Sequence, residues 1–271
     1  MSSVDGAVSE ELQGLIEEET KSEGEGVESL SEFIKFVEDL PKDFTLSRGQ
    51  SQDFPLLPGG LRKYGGSTRK YIRGDLKFFL DEFKVNSHKY LPLPSDPRND
   101  WEWMIYAQHY GVPTRLLDFT YSHMLSVMFA IENAFERSQD GDAVVWFLNP
   151  KKLNEKYGHR SDMFNVSEDT ISLDSYDGPV AIQGRHLNDR ITAQNGVFVY
   201  FQDNEKPLEE SVGEDTEILR KLVIKEDYLK DVLSSLNSMG IGFSHLYPEL
   251  ASVSKDILMR RYVLEYMRGK E

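Results

Sequence analysis

Residues 101–130 read WEWMIYAQHYGVPTRLLDFTYSHMLSVMFA, and the texture of the stretch changes twice. Asp100 caps a helix predicted to run through Tyr110, and Gly111 is placed to stop it. After Val112-Pro113 comes a short extended piece, Thr114–Asp118. A second helix is expected at about Tyr121–Glu136, apolar on most faces and therefore largely buried.

Toward the N-terminus, Ser29 and Glu32 have capping-box spacing, and Leu30, Phe33, Ile34, Val37 and Leu40 recur at helical intervals before Pro41. Phe44–Arg48 reads as a strand and Thr68–Phe83 as a helix. Toward the C-terminus, Ala143–Leu148 (AVVWFL) is a buried strand, and Pro150 opens a short helix. Val180–Ile182, Val197–Phe201 and Leu219–Ile224 are further strands, followed by helices at Glu226–Ser238 and Pro248–Tyr266. Helices mainly in the first half and strands in the second predict an α+β fold with a mixed or antiparallel sheet, not a doubly wound parallel one. One folded domain is expected at 29–271, behind a tail at 1–28.

The charge distribution supports that division. Residues 1–28 hold nine acids and one base, a net −8 of the chain's −15, and no aromatic residue. They are expected to be a solvated, disordered tail, with Leu12, Leu15 and Ile16 as a face that a protein partner could order. The remaining body is only mildly acidic, so direct nucleic-acid binding is not expected. No apolar run approaches the roughly 20 residues that span a bilayer, and the N-terminus has neither the basic start nor the apolar core of a signal peptide. A cytoplasmic protein without membrane attachment is the expectation. With no cysteine in the chain, disulfides, thiolate nucleophiles and zinc–cysteine sites are excluded. The six histidines show no metal-ligand spacing, so no metal is expected. The chain also lacks GxGxxG after a strand, GxxxxGK[ST] and GxSxG.

Three segments carry candidate chemistry. Gln108, His109, Arg115 and Asp118 crowd a helix end and the extended piece after it. Arg115 and Asp118 either form a salt bridge that fixes the crossover or line a cleft. Ser47-Arg48-Gly49-Gln50 places an arginine fork, suited to phosphate or carboxylate, next to a glycine that lets a ligand approach. Arg190, Thr192 and Gln194 alternate before an apolar strand and share one face if the chain there is extended; the alternative is a hairpin turn at Asn195-Gly196.

Taken in order and spacing, these motifs resemble the FRG domain family. Arg48-Gly49-Gln50, the stretch Pro55–Leu61, and above all Gln108-His109-Tyr110-Gly111 with Pro113-Thr114-Arg115-Leu116-Leu117-Asp118 carry the resemblance. Arg190 to Phe198 and Gly240 to Leu250 resemble two later family elements. Ser47 stands where the family has an aromatic residue, and Glu249 where it has Asp. The family is common in bacteria and phages.

A looser resemblance, to ADP-ribosyltransferases, implies an activity. Arg48, then Thr120 and Ser122 ahead of Val127–Ala130, then Gln194 ahead of Val197–Phe201, follow the order of that fold's core. It implies NAD as ligand, held by Arg48, Gln50, His109, Arg115, Thr120 and Ser122, with Arg48, Asp118 and Gln194 as the catalytic set. Gln194 has no charge to stabilise an oxocarbenium-like state; either Asp118 supplies the carboxylate, the reaction is slow, or the site only binds. The open alternatives are a non-catalytic module for a nucleotide, phosphorylated small molecule or protein, and an antiphage or toxin-type effector of other chemistry.

Overall fold

The computed structural model describes residues 25–64, 68–91, 97–136, 141–168 and 172–270. Residues 1–24, most of the expected tail and its Leu12, Leu15 and Ile16, lie outside them. Ser29 accepts a hydrogen bond from the Glu32 backbone N–H and starts α1 (Leu30–Asp39), whose Leu30 and Phe33 are buried. In chain order the first strands are β1 (Glu25–Val27), β2 (Leu46–Gln50), the hairpin β3 (Lys63–Tyr64) and β4 (Thr68–Arg69), and β5 (Leu116–Thr120). β6 (Ala143–Leu148), β7 (Phe164–Asn165), β8 (Val180–Gln183), β9 (Gly196–Tyr200) and β10 (Leu219–Ile224) complete them. The helices α2 (Arg73–Ser87), α3 (Asp100–His109) and α4 (His123–Ile131) precede β6. α5 (Pro150–Tyr157), α6 (Asp189–Ala193), α7 (Leu208–Val212), α8 (Leu229–Ser238), α9 (Phe243–Leu246) and α10 (Leu250–Arg268) follow it.

The α+β class and the mixed sheet hold. Eight strands form one sheet in the order β1-β10-β6-β2-β5-β9-β8-β7, antiparallel except for β1 with β10 and β7 with β8. The expected concentration of helices in the first half is corrected, since six of the ten described helices follow residue 149. Several of these are single turns with too few residues to show a helical period. The helix expected from Thr68 begins at Arg73, because Thr68–Arg69 pairs with Lys63–Tyr64 and Asp75 accepts from the Ile72 N–H. Glu25–Val27, on the tail side of the expected boundary, is a strand with Val27 buried. None of the described helices is long and apolar enough to cross a membrane.

The middle of the sheet fixes the site. β2 pairs with β6 through five residues, Leu46 to Gln50. On its other side it meets β5 at one pair, Ser47 opposite Thr120, and β5 continues into full pairing with β9. Beyond Ser47 the two strands part, and the sheet opens between Arg48–Gln50 and Leu116–Asp118.

Register carries one face of the sheet through Ser47, Thr120, Asp118 and Phe198. On that face α4 and α8 cover one half, burying Val127, Phe147 and Leu233. α3 covers the other half, burying Ile105, Leu116 and Phe198. The opposite face buries Leu46, Leu57, Leu148 and Phe201. Each fully buried side chain of this size stabilises the fold by about 2–3 kcal/mol. The two helix layers on the first face do not meet over the opening, and a cleft remains there.

Candidate functional site

Gly49 makes the cleft wall. A Cβ there would run into the carbonyl oxygen of Ser126 and come within 2.8 Å of the Ala130 nitrogen, both on α4. β2 therefore lies directly on the helix backbone, with Arg48 and Gln50 placed at the opening. Gly60 makes a similar close approach away from the cleft lining: its N–H donates to the Thr114 carbonyl at 2.8 Å, and a side chain would collide with that carbonyl.

Arg48 reaches across the opening. Its Nη1 donates to the Asp118 main-chain oxygen at 2.8 Å and lies 3.8 Å from the Asp118 carboxylate. Burial lowers the Arg48 pKa, Asp118 offsets part of that, and nearby Arg62 adds to it. An arginine remains a cation through such a shift. Asp118 is half exposed and accepts from Gln108 Nε2 at 2.6 Å. Gln108 is itself oriented: its Oε1 accepts from the Thr114 hydroxyl, which accepts from the Leu116 N–H. One carboxylate oxygen is thus engaged and the other faces Arg48 and the cleft.

His109 ends α3 with its ring edge toward Phe198. Burial pulls its pKa down to about 4, with Asp118 opposing and Arg190 assisting the shift, so the imidazole is neutral at pH 7. Gln50 is buried. Three buried polar atoms here have no hydrogen-bond partner: Arg48 Nε, Gln50 Oε1 and His109 Nε2. Leaving a buried polar group unsatisfied costs about 1–3 kcal/mol each. All three residues line the same cleft of about 350 Å³, so a ligand supplying the partners would recover that cost. The charged groups on its lining are the guanidiniums of Arg48, Arg62 and Arg190 against the single carboxylate of Asp118, an excess of positive charge in an acidic chain.

Most sequence-predicted site residues come together here: Arg48, Gln50, His109, Asp118, Thr120 and Gln194 all line the cleft. Two of them have committed side chains. Thr120 Oγ1 donates to the Gln194 carbonyl at 2.7 Å, and Gln194 Nε2 donates to the Leu246 carbonyl at 3.0 Å.

Two residues do not join them. Arg115 makes a two-pronged contact with Asp174 at 2.6 and 3.3 Å and lies over the Tyr200 ring, so the Arg115–Asp118 bridge does not form. Asp174 also accepts from Tyr200 at 2.6 Å and pairs with Arg73. Ser122 caps α4, accepting from the Leu125 N–H at 3.4 Å, and does not line the cleft. Arg190, Thr192 and Gln194 do not alternate on an extended chain. Asn188 accepts from the Ile191 N–H at 2.8 Å and caps α6, which takes in Arg190 and Thr192 and leaves Gln194 as its C-cap.

Residues 45–139 match the FRG domain family. No curated protein and no solved structure matches the chain. The FRG span runs from β2 to just past α4 and contains Arg48, Gln50, His109 and Asp118, the charged and unpartnered heart of the cleft. Arg190 and Gln194 come from beyond it, as do the later segments that resemble family elements. Sequence reasoning missed Arg62, Phe54 and Phe129 as lining residues. Arg62 and Phe54 sit in the loop after β2 with no periodic signal, and Phe129 reads as one more apolar residue of α4.

Proposed function

We propose that the cleft binds an anionic nucleotide, NAD or a close relative, and cleaves it to transfer ADP-ribose. The observation that carries this reading is the convergence of three unpartnered buried polar atoms, on Arg48, Gln50 and His109, beside a half-exposed carboxylate that is not locked in an ion pair with Arg115. The cationic lining suits a pyrophosphate. In this reading Asp118 faces the ribosyl centre. The glycosidic C–N bond breaks with its electron pair leaving on nicotinamide, and the Asp118 carboxylate stabilises the positive charge that develops on the ribose. Water or an acceptor nucleophile then bonds to the ribose carbon and loses its proton to solvent. Thr120 and Gln194, committed to backbone carbonyls, shape the cleft rather than react.

Incubation of the protein and its Arg48→Ala variant with NAD tests this. Nicotinamide release is followed by chromatography and binding by calorimetry. Release that disappears in the variant supports the transferase reading. Heat of binding without release makes the cleft a non-catalytic nucleotide site. The absence of both release and heat overturns the nucleotide reading.

A further inference from the structure

A second cleft, of about 420 Å³, adjoins the first and shares two of its residues, His109 and Arg190. Arg190 stands on the ridge between them. Its Nη1 points at the His109 carbonyl, 3.5 Å away, and its guanidinium lies 4.8 Å over the Tyr247 ring. Tyr247 is therefore covered. Tyr110, on the far wall, is not: it is 61 % exposed, although Phe83 backs its ring and Tyr106 its hydroxyl. An aromatic ring held from behind and open to a cleft is a stacking platform. Asp189 and Glu249 line the same cleft, and among the described residues neither carboxylate has an ion-pair or hydrogen-bond partner. Both are solvent-exposed acceptors, open to a donor such as the exocyclic amine of a purine.

We infer that the two clefts hold the two halves of one dinucleotide. The reacting riboside lies by Asp118, the pyrophosphate crosses the ridge at Arg190, and the adenine stacks on Tyr110 with its amino group toward Asp189 or Glu249. The inference rests on the nucleotide reading of the first cleft and deepens it by placing the adenylate half in the second cleft. It assigns to Tyr110 the role of base platform.

Calorimetric titration with NAD and with nicotinamide mononucleotide, which lacks the adenylate half, tests it on the protein and on Tyr110→Ala and Tyr110→Phe. NAD is expected to bind at least about tenfold tighter than the mononucleotide, the scale of one base–aromatic stack. Tyr110→Ala should bring NAD down to the mononucleotide's affinity while leaving the mononucleotide unchanged, and Tyr110→Phe should keep the difference. The exposure of Tyr110 makes an effect on folding small, and an unchanged melting temperature checks that. Equal affinity of the two ligands in the unaltered protein, or equal weakening of both by Tyr110→Ala, overturns the inference and leaves the first cleft's reading standing. Failure of both ligands to bind overturns both.

Discussion

Arg48 donates to the main-chain oxygen of Asp118 at 2.8 Å, across the gap where β2 and β5 cease to pair. A side chain thus stands in for a missing ladder bond, and the same guanidinium, on the cleft lining, keeps an unpartnered buried Nε. Structure and ligand recognition are joined in one residue. Arg48→Lys keeps the charge but loses the planar fork and Nε. Its expected outcome is at least a tenfold loss of NAD affinity by titration, with a stability loss of about 1 kcal/mol in urea unfolding from the unpaired carbonyl.

Gly49 has a purely steric duty. Gly49→Ala would set a methyl group against the α4 backbone at Ser126 and Ala130, where no side chain can swing aside. β2 must then lift off the helix, separating Val127 and Phe147 from their contacts. Urea unfolding should show a loss of about 3 kcal/mol, the upper end of overpacking costs. If the variant is as stable as the parent, β2 does not lie against α4 as described.

The chain's legibility differs between strands and site. Ala143–Leu148 is an unbroken apolar run and Leu219–Ile224 is apolar apart from Arg220-Lys221, and both strands fall on the residues their sequence indicates. α6 was illegible because its five residues are too short for a period and its cap, Asn188, competes with a hairpin signal at Asn195-Gly196. The site was readable where its residues share a motif, as with Gln108, His109 and Asp118. Arg115 sits in that motif too, yet alternation along β5 and the distant Asp174 take it elsewhere. A long-range partner 59 residues away leaves no local trace. Arg62 was missed for the same reason in reverse, arriving at the cleft from a loop without pattern.

Two buried groups give the fold separate acid responses. Glu102, fully buried in α3, is favoured toward the neutral form by desolvation, but Arg185, at 2.6 Å from each carboxylate oxygen, and the Arg98 N–H overcome this and hold its pKa down to about 2. A carboxylate with a depressed folded pKa stabilises above its unfolded value and loses that contribution as pH falls from about 4.5 toward 2. His109, held neutral by burial, works in a higher window. The unfolded state takes up its proton first as pH falls from 6.5 toward about 4, and stability declines there. Urea midpoints measured against pH should show both declines. His109→Gln should flatten the upper one alone. Glu102→Gln should flatten the lower one and cost about 2 kcal/mol at pH 7, since Arg185 keeps some access to water.

Asp118 and Asp174 are two carboxylates beside arginines, and the fold gives them opposite roles. Asp174 is the hub of a closed network, with Arg115, Arg73 and Tyr200 all bound to it. Asp118 is half exposed, with one oxygen on Gln108 and the other turned to the cleft. Asp174→Asn should therefore lower unfolding free energy by about 2 kcal/mol through the weakened Arg115 contact, leaving nicotinamide release unchanged. Asp118→Asn keeps its shape and the Gln108 hydrogen bond but removes the charge. It should leave NAD affinity within a few-fold and unfolding within about 0.5 kcal/mol, while release falls by about a hundredfold or more, the usual cost of losing one electrostatic group aimed at the transition state. Parallel chromatography and urea unfolding on the two variants check the pair. An Asp118→Asn protein that releases nicotinamide at the parent rate removes Asp118 from the chemistry, whatever binds in the cleft.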